Sequence, residues 1–524
     1  MNKFMQDYQL VITPLSPIHL GTGEDFLPTN YVIDNGVLYE FDPAKAVLNP
    51  KEINELVKAS NSTDIKQVYQ FFKNNPKPFR DCAYRKVVVS KEVARNYKTK
   101  LGQNVQANNP HGNKNGKKES VINDLSIACT STNPQTHLPV IYGSALKGCV
   151  RTAVLNHLCK EKYTDNKQMQ TKLLGSFNQD MFSAFKPSDL EAISNTIDTY
   201  ASYAYQYKKH GDNKQGTIPI RIETIAPAQY QAFSGSLNIY LEKNIDKKLP
   251  DIKEMVKMLN NYHLAIWNKE FDLLIKKDIV NNQDLQNINT LIHKLNLKDS
   301  ENIALIRLGK LCGAESKTLP QVANIKIMRG KGNAPDYRKE NTTIWLTEDK
   351  LPLGWALLEV NPSAENAALK TWCENNNRIV QKINQAIEKA EKEDKELKEE
   401  LAKQQEKEQQ RKEKETADKA EKERQEQAAA LAEEQRRASL SDFERDMDDW
   451  DKQLKTCKDL NQSKPVFDEF KQFLQNAVNQ YSPDECKIMA QTFSRKNCEK
   501  NYPKVISGNR SKELAPLLAK LRGE

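Results

Sequence analysis

LPVIYGSALKGCVRTAVLNHLC, residues 138–159, changes its hydrophobic period half-way along. Leu138 to Ile141 reads as a short apolar strand, and Gly143-Ser144 breaks it. Leu146, Val150, Val154 and Leu158 then recur every fourth residue, the buried stripe of an amphipathic helix. Ser144 stands where an N-cap is expected. A helix that opens directly after a strand points free N–H groups and the positive end of its dipole outward, which suits a phosphate. Lys147 and Arg151, four residues apart, put two cations on one helical face beside that end, with Gly148 between them. The competing reading is a capped surface helix carrying two solvated charges.

Upstream, YQLVITP (8–14) reads as a strand closed by Pro14, and YVIDNGVLYEF (31–41) as two β-rich runs flanking Asn35-Gly36, a strong hairpin signal. Residues 51–75 read as helical, and RKVVVS (85–90) and DLSIACTS (124–131) as strands. Between them, residues 97–119 are rich in Lys, Asn and Gly with little to bury, which predicts a flexible loop at the tip of a protruding hairpin. Downstream, TIPIRIETIAP (217–227) and FSGSLNIYLE (233–242) alternate like paired strands, and residues 251–296 look helical. IALIRLGKLCGAESKT (303–318) is a helix or strand running into a glycine-containing loop, and residues 342–360 return to β structure. Helices and strands mix without the regular βα repeat of a barrel, so the α+β class fits.

The chain has 524 residues with a net charge of +9 and a mean hydropathy of -0.75. The charge is uneven: residues 1–380 hold 49 Lys+Arg against 39 Asp+Glu, a balance of +10, and the remaining 144 hold 30 against 31. The basic part is therefore the candidate for a polyanionic partner. Nine cysteines without a CxxC pair exclude the common zinc ribbons and suit a reducing compartment. The N-terminus is too polar and too broken by proline for a signal peptide, and no stretch approaches a membrane helix, so a soluble, cytoplasmic protein is expected. Near residue 380 the composition changes. From Gln381 to Leu440 there is no Gly, Pro or aromatic residue, and pairs such as Glu388–Lys392 and Glu408–Lys412 fall at i,i+4. The sparse apolar positions argue against a coiled coil and for a single exposed helix roughly 85 Å long at about 1.5 Å per residue. Phe443, Trp450, Phe467, Phe470, Phe473 and Leu514 then supply a small helical domain over 441–524.

Two further motifs join the first. Ser16-Pro17-Ile18-His19-Leu20-Gly21-Thr22-Gly23 follows the opening strand, and its glycines permit close backbone approach to a ligand; a tight turn is the plainer reading. Arg307-Leu308-Gly309-Lys310-Leu311-Cys312-Gly313-Ala314-Glu315-Ser316-Lys317, followed by Pro352-Leu353-Gly354-Trp355, is a glycine-rich stretch studded with cations that can follow a sugar–phosphate backbone. It does not match the Walker pattern, so nucleotide-triphosphate binding is not expected.

In this order the motifs resemble the RAMP superfamily of CRISPR RNA-binding proteins. Within it they are most similar to the subunit that caps the 3′ end of the guide RNA in type III-A (Csm) effector complexes. SPIHLGTG with YVIDNGVLYEFD resembles that subunit's N-terminus, VIYGSALKGCVRTAVL its IPGSSLKGAIRTALL-type motif, TIPIRIETIAP its central strand, and RLGKLCGAESKT with PLGWALLEV its C-terminal glycine-rich signature. The resemblance covers about residues 5–362; Tyr142-Gly143 stands where the family usually has Pro-Gly.

It implies two ferredoxin-like (RRM-type) domains, over 1–215 and 216–380, with a β-hairpin thumb at about 84–130, ahead of the charged helix (381–440) and the helical domain (441–524). It implies a non-catalytic subunit of a ribonucleoprotein acting in crRNA maturation and antiviral defence. Its partners would be the guide RNA (crRNA), other RAMP backbone subunits and maturation nucleases. RNA contacts carried over are His19, Gly21, Gly23, Gly143, Ser144, Lys147, Gly148, Arg151, Arg307, Gly309, Lys310 and Lys317.

Two other classes stay open. A metal-free ribonuclease needs a histidine base and a cation near a 2′-hydroxyl, which His19, Lys147 and Arg151 supply if they converge. Asp124, at the base of the thumb, is the best-placed aspartate for cleavage. A protein-binding scaffold would use the helical arm after residue 380. No catalytic residue, cofactor or metal is expected.

Overall fold

The computed structural model describes residues 4–106, 120–122, 125–163, 165–194, 197–211, 219–241, 245, 247–278, 282–319, 325–327, 334–457 and 460–524. The chain divides into two compact units, Met1–Glu396 and Leu397–Glu524.

The first unit is α+β and holds two large sheets. In one, the order is Ile303–Arg307, Trp355–Val360, Met5–Pro14, Phe233–Tyr240, Leu190–Ala192 and Val140–Ile141, all antiparallel. Its strands Ile303–Arg307 and Trp355–Val360 are buried on both faces because both are covered. Ala304, Ile306, Ala356 and Leu358 face one core with Leu146, Val150 and Val154 of the Gly143–Leu158 helix. Their neighbours Leu305, Trp355 and Leu357 face a second core containing Trp267, Leu285, Ile288 and Leu291. Period-two alternation thus serves two layers at once.

The second sheet runs Gly21–Phe26, Ile127–Thr130, Ile220–Ile225, Thr199–Lys208, Arg85–Val89, Val37–Glu40 and Tyr31–Asp34, and Thr343–Thr347 also pairs with Thr199–Lys208. The Asn35-Gly36 hairpin forms as read, with both residues at positive φ (48° and 81°), the backbone of a tight two-residue turn. The sheets interleave along the chain. The boundary expected between 215 and 216 lies between Thr199–Lys208 and Ile220–Ile225, which pair with each other, and both sheets draw strands from either side of it.

The lysine- and asparagine-rich segment departs from expectation. Ser90 caps a helix over Lys91–Lys100, and Tyr97 and Leu101 are buried against Tyr31, Phe26 and Val89. Val93, Tyr97 and Leu101 together pin that helix to the sheet from within a polar run. Asn104–Gln106 and Ser120–Ile122 pair antiparallel where the base of the thumb is expected, while residues 107–119 of the expected loop and Asp124 lie outside the described residues.

Arg378–Ser439 is one helix of 62 residues. Its first turns belong to the first unit, where Ile379, Ile383 and Ala390 are buried with Val37, Phe41 and Phe79. Asp394 and Asp34 both pair with Arg80 there. A chain ending at Val380 loses Ile383 and Asp394, and is expected to unfold about 2 kcal/mol more easily in urea than one ending at Glu396. Equal midpoints for the two truncations would show that these turns contribute nothing.

In the second unit, Arg436 and Arg437 at the end of the long helix pair with Asp448 and Asp449 of the Asp442–Thr456 helix. A capping box between Ser441 and Glu444 starts that helix. Leu460–Gln480, Pro483–Thr492, Arg495–Asn501 and Asn509–Arg522 complete an all-α unit around Phe467, Phe470, Phe493 and Leu514. No helix among the described residues is long and apolar enough to cross a membrane.

Candidate nucleic-acid groove

The three motifs, far apart in the chain, meet in the first unit. Ser16–Leu20 crosses from one sheet to the other and is clasped by the third motif. Trp355 N–H donates to Ser16 Oγ at 2.9 Å, Gly354 N–H to Pro17 O at 2.9 Å, and Lys310 N–H to His19 O at 2.8 Å. Gly309 makes the last contact possible: its φ is +97°, and a Cβ there would lie 2.4 Å from His19 O. The following loop is pinned from three sides. Ser316 Oγ donates to Cys312 O and Gly313 O, Tyr262 Oη donates to Glu315 O, and the Glu315 carboxylate accepts from Lys209 Nζ at 2.6 Å and Asn341 N–H at 2.7 Å.

The second motif supplies the facing wall. Gly143 packs so closely on the chain at Ser188 that a Cβ would sit 2.5 Å from Ser188 O. Between the walls lies a groove of about 480 Å³. Tyr142, Ser144, Ala145, Gly148 and Thr152 of the helix line it together with Gly21 of the first motif and Leu308, Gly309, Lys310, Ser316 and Lys317 of the third. Ser144, Gly148 and Thr152 follow each other every fourth residue, so the helix offers a small, polar stripe over which an extended chain can lie. The lining contains no carboxylate. Lys310 and Lys317 are exposed and make no ion pair among the described residues.

Several expected contacts lie elsewhere. Tyr142, not Ser144, is the N-cap, and the Gly143 N–H is already taken by Asp189 Oδ1 at 2.8 Å, so the helix end is not an open anion site. Lys147 turns inward and donates to Phe182 O (2.7 Å) and Phe185 O (3.0 Å). Arg151 pairs with Asp180 at 2.7 Å, bonds Gln170 and lies over the Phe182 ring. Both sit one step round the helix from the groove stripe. Arg307 borders the groove but its guanidinium is buried. It donates to Leu353 O (3.0 Å), pairs with Glu270 (2.7 Å) and stacks 4.6 Å over Trp355. Gly23 has open space around it in the Gly21–Phe26 strand and does not line the groove. Asp189, Asp180 and Glu270 lie 29 to 46 residues from the groups they engage, a separation at which no sequence pattern pairs them.

Beneath the groove, burial dominates the chemistry. His19 is 1% exposed, and its imidazole is pushed below the ordinary histidine range by burial. Cys149 contacts the groove, but burial raises its thiol to about 12, so it is not a nucleophile at neutral pH. Its neighbour His263, 3.5 Å away, is held down to about 4, also by burial, with its Nδ1–H on Leu259 O. Among the described residues, no three His, Cys, Asp or Glu side chains gather as a metal site.

The family model of the RAMP superfamily matches residues 11–312, more than half of the chain and the span from the first motif into the third. This chain belongs to the RAMP superfamily. Among solved structures, this RAMP protein is similar to a chain of the Csm–crRNA–target RNA ternary complex of a type III-A CRISPR-Cas system, at 17% identity and a TM-score of 0.45, covering 68% of this chain and 100% of that one. It is also similar to Csm5 of T. onnurineus, at 16% identity and a TM-score of 0.39, covering 66% and 99%. No curated protein matches it.

Proposed function

We propose that this RAMP protein grips the sugar–phosphate backbone of a guide RNA in the groove, as the non-catalytic subunit that caps the crRNA 3′ end in a type III-A (Csm) ribonucleoprotein. It would act there in crRNA maturation and antiviral defence, in the cytoplasm, beside other RAMP backbone subunits and the maturation nucleases. The observation that carries the reading is the convergence of three glycine-containing motifs on one groove that offers two exposed lysines and no carboxylate. A site of that composition attracts phosphates and places small residues where a backbone must come close. The guide and its 3′ end come from the motif resemblance.

Against cleavage stands the dispersal of its parts. Lys147 is spent on two carbonyls and Arg151 faces Asp180, so the two cations that the sequence set beside a His19 base are engaged elsewhere.

The test is RNA binding across a salt series, wild type beside Lys310→Ala/Lys317→Ala, with RNA integrity followed in the same samples. Losing two phosphate contacts on a single strand is expected to reduce the slope of log K against log salt by about 1.4, with the RNA intact. An unchanged slope would place the contacts elsewhere, and cleaved RNA would favour the ribonuclease.

A further inference from the structure

His19 holds a fixed tautomer. Its Nδ1 lies 2.7 Å from the backbone carbonyl of Glu223, which can only accept, so Nδ1 carries the proton and Nε2 is left as an acceptor. The backbone on either side of the ring is held in place. Ile18 is bonded to Ile225 in both directions, and the His19 carbonyl receives Lys310 N–H. The Glu223 side chain is itself fixed by Arg85 and by Thr130 N–H. Burial, joined by the nearby Lys310 charge, outweighs the opposing pull of Glu223 and Asp25 and holds the imidazole below its ordinary range.

Nε2 is buried and has no hydrogen-bond partner among the described residues. Such an atom is costly unless something completes it. The gap beside it is the one left by Gly21, which lines the groove: a Cβ at Gly21 would lie 3.1 Å from Nε2 and 3.4 Å from Lys310 Cδ. The stem of the exposed Lys310 borders the same gap.

A phosphate oxygen cannot satisfy an acceptor, because it too only accepts. A ribose 2′-hydroxyl can, and deoxyribose has none. We propose that His19 Nε2, reached through the gap at Gly21, accepts a hydrogen bond from a ribose 2′-hydroxyl and makes the groove select RNA over DNA. This rests on the groove being the RNA site and adds the group by which it tells the two nucleic acids apart.

The experiment compares three single strands of one sequence at fixed salt: RNA, DNA, and 2′-fluoro RNA, which keeps the ribose pucker but has no proton to donate. The full chain is expected to bind RNA about tenfold more tightly than either of the others. In Gly21→Ala, which fills the gap at an exposed position, and in His19→Phe, the ratio is expected to fall towards one because RNA affinity falls by more than DNA affinity. Thermal midpoints are recorded so that a misfolded His19→Phe is recognised, and Gly21→Ala then decides. Equal binding of RNA and 2′-fluoro RNA by the wild type, or a preference that survives Gly21→Ala, overturns the role of His19 and leaves the groove reading intact. Failure to bind any of the strands overturns the groove reading itself.

Discussion

Arg307→Ala is expected to destabilise the protein by about 3–5 kcal/mol while leaving the salt dependence of RNA binding by the folded fraction unchanged. The guanidinium is 2% exposed and the Glu270 side chain 10%. Removing the cation strands a buried carboxylate that keeps, among the described residues, the Trp355 Nε1–H at 2.8 Å, and it also removes the contact over the Trp355 ring. Arg307→Lys should recover part of the loss, since it restores a charge but not the fork that meets Leu353 O and Glu270 together. Arg307→Met with Glu270→Gln should recover more, because it removes both charges and keeps an acceptor for Trp355. Urea unfolding of the four proteins checks the order. A salt slope that falls with Arg307→Ala would mean that the guanidinium reaches RNA after all.

Gly309→Ala is expected to cost about 3 kcal/mol and to weaken RNA binding about tenfold or more. Part of the cost is the left-handed backbone, worth about 1–2 kcal/mol for a residue with a Cβ. The rest comes from the methyl carbon, which would sit 2.4 Å from His19 O and 3.1 Å from His19 C, both backbone atoms that cannot swing aside. Relieving that clash separates the first motif from the third, breaks the Lys310 N–H to His19 O bond, and moves Lys310 relative to Gly21. Stability and affinity should therefore fall together. Gly23→Ala, where a Cβ meets nothing within 4 Å, is the control: it is strained in the backbone alone and should leave RNA affinity near wild type. Equal losses of affinity in the two variants would contradict the clasp.

Much of this was legible in the residues. Asn35-Gly36 between two β-rich runs specified its hairpin because a tight two-residue turn tolerates little else. The i+4 series from Leu146 placed the groove helix against the sheet, with Leu158 packed only at the edge of that core. The three motifs do come together. What the residues did not show is which way their charges point. Lys147, Arg151 and Arg307 look like RNA contacts in a sequence, and each is drawn inward by a group that is near only in space: the carbonyls of Phe182 and Phe185, Asp180, and Glu270. The two lysines that remain exposed, Lys310 and Lys317, sit in the same motif and are indistinguishable from Arg307 by type or spacing. Tyr97 shows the converse, a single aromatic in a polar run whose burial depends on Tyr31, sixty-six residues earlier.

The most direct measurement of the central claim is photo-crosslinking of the full chain to a 4-thiouridine-labelled RNA, with the attachment sites read by peptide mass spectrometry. Crosslinks are expected in peptides from all three walls of the groove, around Gly21, from Tyr142 to Thr152, and from Leu308 to Lys317, and they should be lost together in Lys310→Ala/Lys317→Ala. Crosslinks absent from these peptides and gathered in residues 397–524 would contradict it, and would move RNA binding to the helical unit.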